Sequence, residues 1–371
     1  MKFLIITHVE HIQKEGKYYG YEPYIQEMNL WLKHVDEVEV VAPLKKGELT
    51  KIDACYVHSN LRFSKIPIIQ FTSFTHALKS LFKIPVIKWK IFVACMRANH
   101  IHLRCPGNIG MFGAFIQICF PYKFKTAKYA GNWDPKSKQP LSYRIQKKIL
   151  RNTFFTKRMQ TLVYGNWPKQ TKNIKSFFTA SFNASEVEKS IQKDFTSTLR
   201  FVFVGSLVEG KQPLKAVQIV EQLNKKSIDS TLDLYGDGVL RQSLKDYIKE
   251  NNLETRIHLK GNVSKDDIKK ALRIAHFSIL LSKSEGWPKA IAEAMFYGVI
   301  PVASKVSCVP WMLNYGERGV LVDDNEDMCV SQIINTIEEK NLNRISKAAK
   351  DWSQQYNLDY FEEEIQKLLA H

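Results

Sequence analysis

Two glutamates eight positions apart, Glu285 and Glu293, flank a glycine–proline turn within residues 284–295. The short apolar run at residues 278–281 predicts a buried strand before the turn, and small apolar residues after it predict a helix that ends at Gly298. The free N–H groups at the start of such a helix attract anions, phosphate above all. Carboxylates beside an anion site make chemical sense if they hold the hydroxyl groups of a sugar while the helix holds the phosphate.

The pattern E-G-W-P-x4-E-A-M, followed by Y-G-V-I-P-V-A-S, resembles the E-x7-E signature of the retaining GT-B glycosyltransferases, the glycosyl transferases group 1 family. The family usually has E-G-F-G where this chain has E-G-W-P, a variant that keeps the amide-rich turn. The resemblance implies an α/β protein of the GT-B fold. Such a protein has two Rossmann-like doubly wound parallel-sheet domains facing a central cleft, and a C-terminal helix that crosses back to the N-terminal domain.

The resemblance also implies an activity: a hexose is transferred from a nucleotide-sugar donor, such as a UDP- or GDP-sugar, with the anomeric configuration retained. No metal and no other cofactor is expected. Glu285 would hold the donor sugar's hydroxyls and stabilise positive charge at its anomeric carbon, and Glu293 would accept hydrogen bonds from the ribose. The acceptor would be a glycan or a lipid-linked glycan in bacterial surface polysaccharide synthesis.

A second glycine turn, at residues 205–213, resembles the family's G-x-L-x3-K element. Lys211 takes the place of the cation that binds the diphosphate, while Ser206 stands where the family often has an arginine. A G-x-G turn at residues 236–238 and a strand end at residues 262–263 complete the donor side. The implied donor-binding residues are Gly205, Ser206, Lys211, Gly236, Gly238, Asn262, Val263, Gly286, Trp287, Pro288 and Glu293.

Predicted strands and helices alternate from residue 200 to residue 322, with glycines at the strand ends, which is typical of a doubly wound parallel sheet. The length of 371 residues predicts two domains. We place an acceptor-binding domain at residues 1–185 and a nucleotide-sugar-binding domain at residues 198–351. A terminal helix, residues 352–371, would pack back on the first domain, and the polar stretch around residues 180–200 predicts the linker.

The first half of the chain matches the family only in its layout. A strand at residues 2–7 leads into a long predicted loop, residues 8–21, which should lie at the carboxyl end of a parallel sheet, where ligands collect. The acceptor-side residues predicted from this half are Gly16, Tyr18, Tyr19, Gly20 and His102.

Many members of the family have a catalytic histidine at a later strand end of the first domain. Here the matching position is Asn132, and Arg104 projects from the neighbouring strand. We therefore take Glu285, Asn132 and Arg104 as the catalytic residues. His8 and His11 could be general bases or structural histidines, and the sequence leaves both interpretations open.

Positive charge is concentrated in the first half. Residues 1–200 contain 32 Lys and Arg against 13 Asp and Glu, whereas residues 201–371 contain 22 against 24. This excess favours a polyanionic partner, either nucleic acid or an anionic membrane surface, unless the lysines only cover a solvated face. Within residues 63–102 lysines alternate with apolar residues, as in an interfacial membrane contact or in a helix whose lysines reach outward from the sheet. Pro85 predicts a break in any helix there.

Six scattered cysteines, with neither disulfide nor metal-ligand spacing, indicate a reducing compartment. The longest apolar run, residues 109–122, is shorter than the ~20 residues that a membrane-spanning helix needs. We expect a cytoplasmic protein, peripheral on the inner face of the cell membrane if it meets a membrane.

Three alternatives share parts of the pattern. A GT-B-like sugar-nucleotide epimerase would have the same layout. A dinucleotide dehydrogenase would need a glycine fingerprint after its first strand, which residues 7–15 lack. A nucleic-acid-binding α/β protein is favoured by charge alone and by no recognised motif, so no nucleic acid is expected as a partner.

Overall fold

The computed structural model describes residues 1–50, 52–69, 74–188 and 193–370, with the side chains of residues 74–79 and 339 excepted. The chain forms two compact units. The first contains Met1–Phe178 and the residues from Phe361 onward, and the second is Thr179–Tyr360. Compared with the predicted limits, the structure assigns residues 179–185 and 352–360 to the second unit.

These two segments belong to the second unit because their aromatic side chains pack there. The ring of Phe182 lies 4.6 Å from that of Phe296, centroid to centroid. Trp352 is buried and stacks on Trp287 at 6.2 Å. Residues 189–192, part of the predicted linker, lie outside the described residues.

The first unit is built on one large sheet. Its strands are β1 (Lys2–Ile6), β2 (His11–Lys14), β3 (Lys17–Tyr21), β4 (Glu37–Lys45), β5 (Asp53–Cys55), β6 (Leu61–Ile66), β7 (His100–Cys105), β8 (Phe124–Tyr129), β9 (Met159–Tyr164) and β10 (Ile174–Phe177). Its helices are α1 (Glu22–Leu32), α2 (Phe74–Arg97), α3 (Asn108–Ile116) and α4 (Leu141–Arg151).

The strands of this sheet follow the order β10-β9-β8-β7-β1-β4-β2-β3-β5, with β6 also paired to β4. The pairs from β10 to β4 are parallel, so the carboxyl ends of these strands share one edge. The buried runs of β1 and β4 reflect helices on both faces of a parallel sheet. Because β1 and β7 are neighbours without being consecutive, the loops after them diverge and leave a crevice.

The prediction of a long loop at residues 8–21 is wrong. Most of it is an antiparallel hairpin, β2 and β3, which joins the sheet next to β4. The turn of the hairpin is Glu15-Gly16, with φ of 50° and 74°, the pair of positive values that matches the twist of the strands. Tyr18 stacks on Phe63 with ring centroids 4.4 Å apart. The hairpin therefore belongs to the packed structure of the unit.

The prediction that Pro85 breaks the helix is also wrong, since α2 continues through it. The proline removes the hydrogen bond to the carbonyl of Leu81. Leu81 and Pro85 are both exposed, so water can satisfy that carbonyl. Ile87 and Ile91, both fully buried, hold the opposite face of the helix on the sheet.

The second unit contains a smaller sheet with helices on both faces. Its strands are β11 (Leu199–Val204), β12 (Ser230–Tyr235), β13 (Ile257–Gly261), β14 (Phe277–Leu280), β15 (Ile300–Ser304) and β16 (Val320–Val322). The helices are α5 (Pro213–Lys225), α6 (Arg241–Glu250), α7 (Lys265–Ile274), α8 (Lys289–Phe296), α9 (Val309–Met312), α10 (Glu326–Glu339) and α11 (Leu342–Ser353), and a last helix, α12 (Leu358–Leu369), begins in this unit and continues in the first.

The second sheet has the order β13-β12-β11-β14-β15-β16, and all of its pairs are parallel. The doubly wound parallel sheet predicted from residues 200–322 is confirmed. The strand order reverses between β11 and β14, and in such sheets ligands bind at this point, outside the carboxyl ends of the strands. The loops after β11 and β14 are the two that carry Lys211 and Glu285.

Helix α12 crosses from the second unit to the first. At its start the N–H of Leu358 donates to the carbonyl of Phe182 over 2.8 Å. Further along, Phe361 packs on Phe177 and Phe178, with centroids 5.3 and 5.5 Å away. The predicted return of the C-terminal helix to the first domain is confirmed. In the described parts of the chain, no helix combines the length and apolarity needed to cross a bilayer.

Candidate active site

The turn between β14 and α8 carries Glu285 and is anchored by its backbone. The carbonyl of Gly286 accepts hydrogen bonds from the thiol of Cys308 (3.2 Å) and the hydroxyl of Ser307 (3.4 Å). Both donors come from the segment after β15, the neighbouring strand. The position of Glu285 is thus set by contacts that do not use its own side chain.

Lys211 and Glu285 form a short ion pair between Nζ and Oε1. Lys211 ends the single turn Glu209–Lys211 after β11. The N–H of Lys283 donates to the carbonyl of Gly210 over 2.9 Å, which ties the two loops together. The side chain of Glu285 is only 9% exposed, so the ammonium is its countercharge in a partly desolvated place. The structure brings together the predicted diphosphate cation and a predicted catalytic carboxylate.

A pocket of about 240 Å³ opens beside the loop that follows β11. It is lined by Val204, Gly205, Ser206, Tyr235, Gly236, Asp237, Asn262, Val263 and Ile268. Five of the predicted donor-binding residues meet in this pocket: Gly205, Ser206, Gly236, Asn262 and Val263. The prediction did not include Asp237, whose half-exposed carboxylate lies 3.8 Å from the guanidinium of Arg241.

The predicted donor-side glycines Gly236 and Gly238 allow close approach of backbones. A Cβ at Gly236, where φ is +133°, would lie 2.0 Å from the carbonyl oxygen of Gly205. A Cβ at Gly238 would lie 2.5 Å from that of Leu207. Any larger residue would push the two loops that wall the pocket apart. Gly238 itself is not among the pocket-lining residues.

Glu293 faces a different neighbour. Its Oε1 accepts a hydrogen bond from the hydroxyl of Ser181 at 2.6 Å. Desolvation raises the pKa of this carboxyl, against the opposing effects of the Ser181 hydrogen bond and of Lys289 and Lys265. Glu293 lines a small cavity with the segment at residues 179–182, and the structure does not bring it into the pocket beside Gly205.

The side chain of Trp287 is part of an aromatic cluster behind the turn. Its ring lies 6.2 Å from Trp352, 6.1 Å from Tyr356 and 6.4 Å from Trp311. The indole ring of Trp287 is therefore part of the packing of the second unit. Pro288 precedes the first residue of α8 and has no N–H to offer.

In the first unit, Arg104 lies at the carboxyl end of β7 in a cluster of charges. Its Nη1 is 3.4 Å from Oε1 of Glu27, and Nζ of Lys128 is 2.8 Å from the other oxygen. The guanidinium lies 5.5 Å above the ring of Tyr24. Sequence reasoning missed Glu27 and Lys128. The available signal was a glutamate among the apolar positions of α1, because a charge on a buried helix face needs a partner.

Two other predicted residues of this unit have structural partners. Asn132 follows β8, and its Oδ1 accepts the N–H of Asp134 at 2.9 Å, which shapes its own loop. His102 is fully buried, with Nδ1 2.8 Å from Oγ1 of Thr126. Burial lowers the pKa of His102 to about 3. The ring is neutral and enclosed, so it has no surface to offer an acceptor.

The histidines after β1 differ in their surroundings. His11 is buried, its Nε2 is 3.0 Å from the hydroxyl of Tyr56, and desolvation lowers its pKa to about 4. His8 is exposed at the crevice. Desolvation first, and Arg104 second, lower the pKa of His8. A Cβ at Gly107, at the start of α3, would lie 2.8 Å from the His8 ring. Of the two, the structure leaves His8 as the base that a ligand could reach.

The predicted acceptor-side residues of the hairpin contact neither His8 nor Arg104 in the interactions that the structure shows. Gly16 is at the hairpin tip with no atom near its missing side chain, and Tyr18 is stacked. Tyr19 is partly buried in β3. Gly20 faces the ring of His11, 3.2 Å from where a Cβ would be. These residues build the hairpin, and their part in acceptor binding stays a prediction.

Comparison with known proteins supports the resemblance seen in the sequence. Residues 185–355 match the family model Glycosyl transferases group 1. The UDP-Gal:alpha-D-GlcNAc-diphosphoundecaprenol alpha-1,3-galactosyltransferase of Escherichia coli is 26% identical over 178 residues, 47% of this chain and 46% of that one. The N-acetyl-alpha-D-glucosaminyl L-malate synthase of Bacillus anthracis is 27% identical over 135 residues, 35% of each chain. The matched segments thus span less than half of these curated relatives.

Solved structures match over the whole chain. Anabaena HepE in complex with UDP and glucose superposes with a TM-score of 0.68 at 15% identity, covering 100% of this chain and 99% of that one. The lipopolysaccharide outer core galactosyltransferase WaaB gives 0.68 at 12% identity, with the same coverage. At such identities the likeness concerns the fold, and it confirms the expected two-domain GT-B architecture.

Proposed function

We propose, from the match of residues 185–355 to the glycosyl transferases group 1 model, that this protein is a retaining glycosyltransferase. It moves a hexose from a nucleotide-diphosphate donor to a glycan or lipid-linked glycan acceptor in bacterial surface polysaccharide synthesis. The observation that carries the proposal is the Lys211–Glu285 pair at the point where the strand order of the second sheet reverses. Lys211 stands on the same loop that walls the pocket at Gly205.

The first requirement of the reaction is to stabilise the leaving diphosphate. Negative charge grows on this group as its bond to the sugar breaks, and preorganised donors lower the barrier most when they are aimed at such charge. We assign this part, without a metal ion, to the ammonium of Lys211 and to backbone N–H groups of the turns at Gly205 and Gly286.

In the absence of donor, Lys211 is held by Glu285. A diphosphate that binds at the strand ends of the second sheet would compete for the ammonium, and the carboxylate of Glu285 would then be available to the sugar. A carboxylate there can accept hydrogen bonds from the sugar's hydroxyls. It also favours the positive, oxocarbenium-like charge at the anomeric carbon. We assign Glu285 this positioning and stabilising part, and not that of a covalent nucleophile.

The nucleobase is assigned to the pocket between the ends of β11, β12 and β13. Backbone groups at Asn262 and Val263 border the base in this assignment. Glu293 is assigned to the ribose hydroxyls, which would replace the hydroxyl of Ser181 that it accepts at present.

The acceptor is assigned to the first unit, at the crevice after β1 and β7. Arg104 and His8 are cationic or basic groups that suit a phosphate-bearing acceptor, and Asn132 follows the next strand. The Escherichia coli relative is named for an acceptor linked to diphosphoundecaprenol. A phosphate-bearing acceptor of that chemical class would be attracted by the net positive charge of residues 1–200.

Donor binding is the direct test. Isothermal titration with UDP-, GDP-, ADP- and dTDP-sugars should show one base and one sugar that bind. Lys211→Met should weaken binding of that donor about 10- to 100-fold, because a charge-assisted hydrogen bond contributes about 1.5–3 kcal/mol. The matched control is Lys305→Met, since Lys305 pairs with Asp323 at 2.7 Å on the surface. No heat with any donor, or equal effects of the two substitutions, would contradict the proposal.

Turnover measurements test metal independence, the epimerase alternative and the retention of the anomeric configuration. Release of nucleoside diphosphate should depend on an acceptor and should persist with EDTA. Loss of activity with EDTA would contradict metal independence. Release without any acceptor, accompanied by a change in the sugar's configuration, would indicate the epimerase alternative. Nuclear magnetic resonance of the product should show the donor's anomeric configuration, and inversion would refute the retaining mechanism.

A further inference from the structure

Helix α2 carries a stripe of exposed apolar side chains on the face that points away from the sheet. Phe82, Val86, Trp89, Val93 and Met96 follow each other at spacings of four, three, four and three, so they form one line along the helix, in which Val93 is half-buried and the other four are exposed. Phe82 is 79% exposed and Trp89 65%. The stripe runs for about 21 Å at 1.5 Å per residue. Large apolar side chains exposed in a continuous row are unusual on a surface that stays in water.

A pocket of about 400 Å³ lies along this stripe, between α2 and the edge strand β6. It is lined by Arg62, Phe63, Ser64, Lys65, Trp89, Lys90, Val93 and Arg97. Trp89 and Val93 belong to both the stripe and the pocket, so the apolar line borders a cationic depression. The ammonium of Lys90 donates to the carbonyl of Lys65 over 2.6 Å, which places a positive charge at its rim.

The positive charges around the stripe exceed the local negative ones. Residues 54–133 contain eleven Lys and Arg and no Asp or Glu. Glu39, the carboxylate beneath the pocket, is buried and already bonded by Arg97, Nε to Oε2 at 3.1 Å, and by Ser64 at 2.7 Å. Lys65 and Lys90 have no carboxylate within ion-pair distance among the residues that the structure describes. The surface thus presents uncompensated ammonium groups beside exposed aromatic rings.

We propose that this face of the first unit, the stripe of α2 with its cationic pocket, docks on an anionic lipid bilayer. Phe82, Val86 and Trp89 enter the boundary between headgroups and acyl chains. Lys65 and Lys90 bind the phosphates of anionic headgroups. Apolar burial plus attraction to anionic lipid is the combination that holds interfacial helices in a membrane surface. A second copy of the same chain is disfavoured as the occupant, because two such faces would bring like charges together.

This docking deepens the proposed function, since a lipid-linked acceptor lies in a membrane surface. The biological purpose of the docking rests on the proposed function, whereas the docking itself does not. Vesicle binding is measured without donor or acceptor, whereas donor binding is measured without lipid. Failure of one measurement therefore leaves the other standing.

Sedimentation with vesicles tests the docking. The wild-type protein should sediment with vesicles of phosphatidylcholine and phosphatidylglycerol and much less with phosphatidylcholine alone. Trp89→Ser should weaken the binding about tenfold or more, because a large buried apolar side chain is lost. Lys90→Gln should weaken it about fivefold, the contribution of one lysine near an anionic surface. Equal binding to both kinds of vesicle would overturn the proposal.

Phe154→Ser is the matched control, since Phe154 is 73% exposed in the same unit but lies outside α2. It should bind vesicles as the wild type does, and an equal loss in this variant and in Trp89→Ser would overturn the proposal. Sedimentation velocity without lipid should show the same oligomeric state for wild type and Trp89→Ser. A dimer that Trp89→Ser dissociates would assign the face to a second copy instead. Thermal unfolding and donor binding are measured for each variant. Both should match the wild type, which shows that weaker vesicle binding does not come from a folding defect.

Discussion

The buried charges around Glu27 lead to the sharpest stability prediction. Lys128 is fully buried, and its ammonium is 2.8 Å from the carboxylate of Glu27. Glu27→Gln keeps the shape of the side chain and removes the countercharge. The carbonyl oxygen of Phe178 at 3.4 Å and the ring of Phe361 at 4.9 Å also contact this ammonium, and neither of them carries a full negative charge. Breaking a buried pair from one side costs about 3–5 kcal/mol.

For a unit of this size, about 2–4 °C is lost per kcal/mol, so the melting temperature of the first unit should fall by roughly 6–20 °C. Scanning calorimetry of the whole chain measures it. The control is Glu362→Gln, whose partner Lys33 is mostly exposed, and this change should cost under about 1 kcal/mol. Adding Lys128→Met to Glu27→Gln should restore most of the loss. An effect of Glu27→Gln no larger than that of Glu362→Gln, or no recovery in the double variant, would refute the reasoning.

Three further outcomes are expected. Glu285→Gln should lower kcat about a hundredfold or more while the melting temperature changes little, and near-normal turnover in the nucleotide-release assay would contradict its role. Gly236→Ala should destabilise the second unit by about 2–4 kcal/mol in urea unfolding, because its Cβ would meet the Gly205 carbonyl at 2.0 Å, whereas Gly210→Ala, with nothing within 4 Å, should be nearly neutral. His102, with a folded pKa of about 3 against 6.5 when unfolded, binds its proton more readily in the unfolded chain. Stability should therefore fall by roughly 1.4 kcal/mol per pH unit below about 6.5, and His102→Leu should flatten this acid limb.

The second unit could be predicted closely because its strands are short apolar runs, three of which (β11, β12 and β13) end at or directly before a glycine. The positive φ of Gly236, Gly261 and Gly298 is a local cause for glycine at these three positions. Such a cause leaves a signal within a few residues. The sequence placed Lys211 and Glu285 around the same donor but did not predict their ion pair, which forms because loops at adjoining strand ends meet where the strand order reverses.

The first unit was predicted less well because its determining contacts are not local. The hairpin depends on pairing with β4, and glycines near tyrosines also occur in loops. The general effect of proline predicts a break at Pro85, but α2 continues because the carbonyl of Leu81, which loses its hydrogen bond, lies on an exposed turn. Glu27, Arg104 and Lys128 come from three separate elements, and only the packed sheet brings them together.

The first unit is assembled from both ends of the chain, and this has a consequence for biosynthesis. Phe361 covers Phe177, Phe178 and the ammonium of Lys128, yet a ribosome makes it after all of residues 179–360. The second unit is contiguous and can close as soon as it emerges. The first unit is translated first, but Phe177 and Phe178 stay uncovered until Phe361 has been synthesised. Its folding is therefore completed after that of the second unit, the reverse of the usual order in which the N-terminal domain folds first.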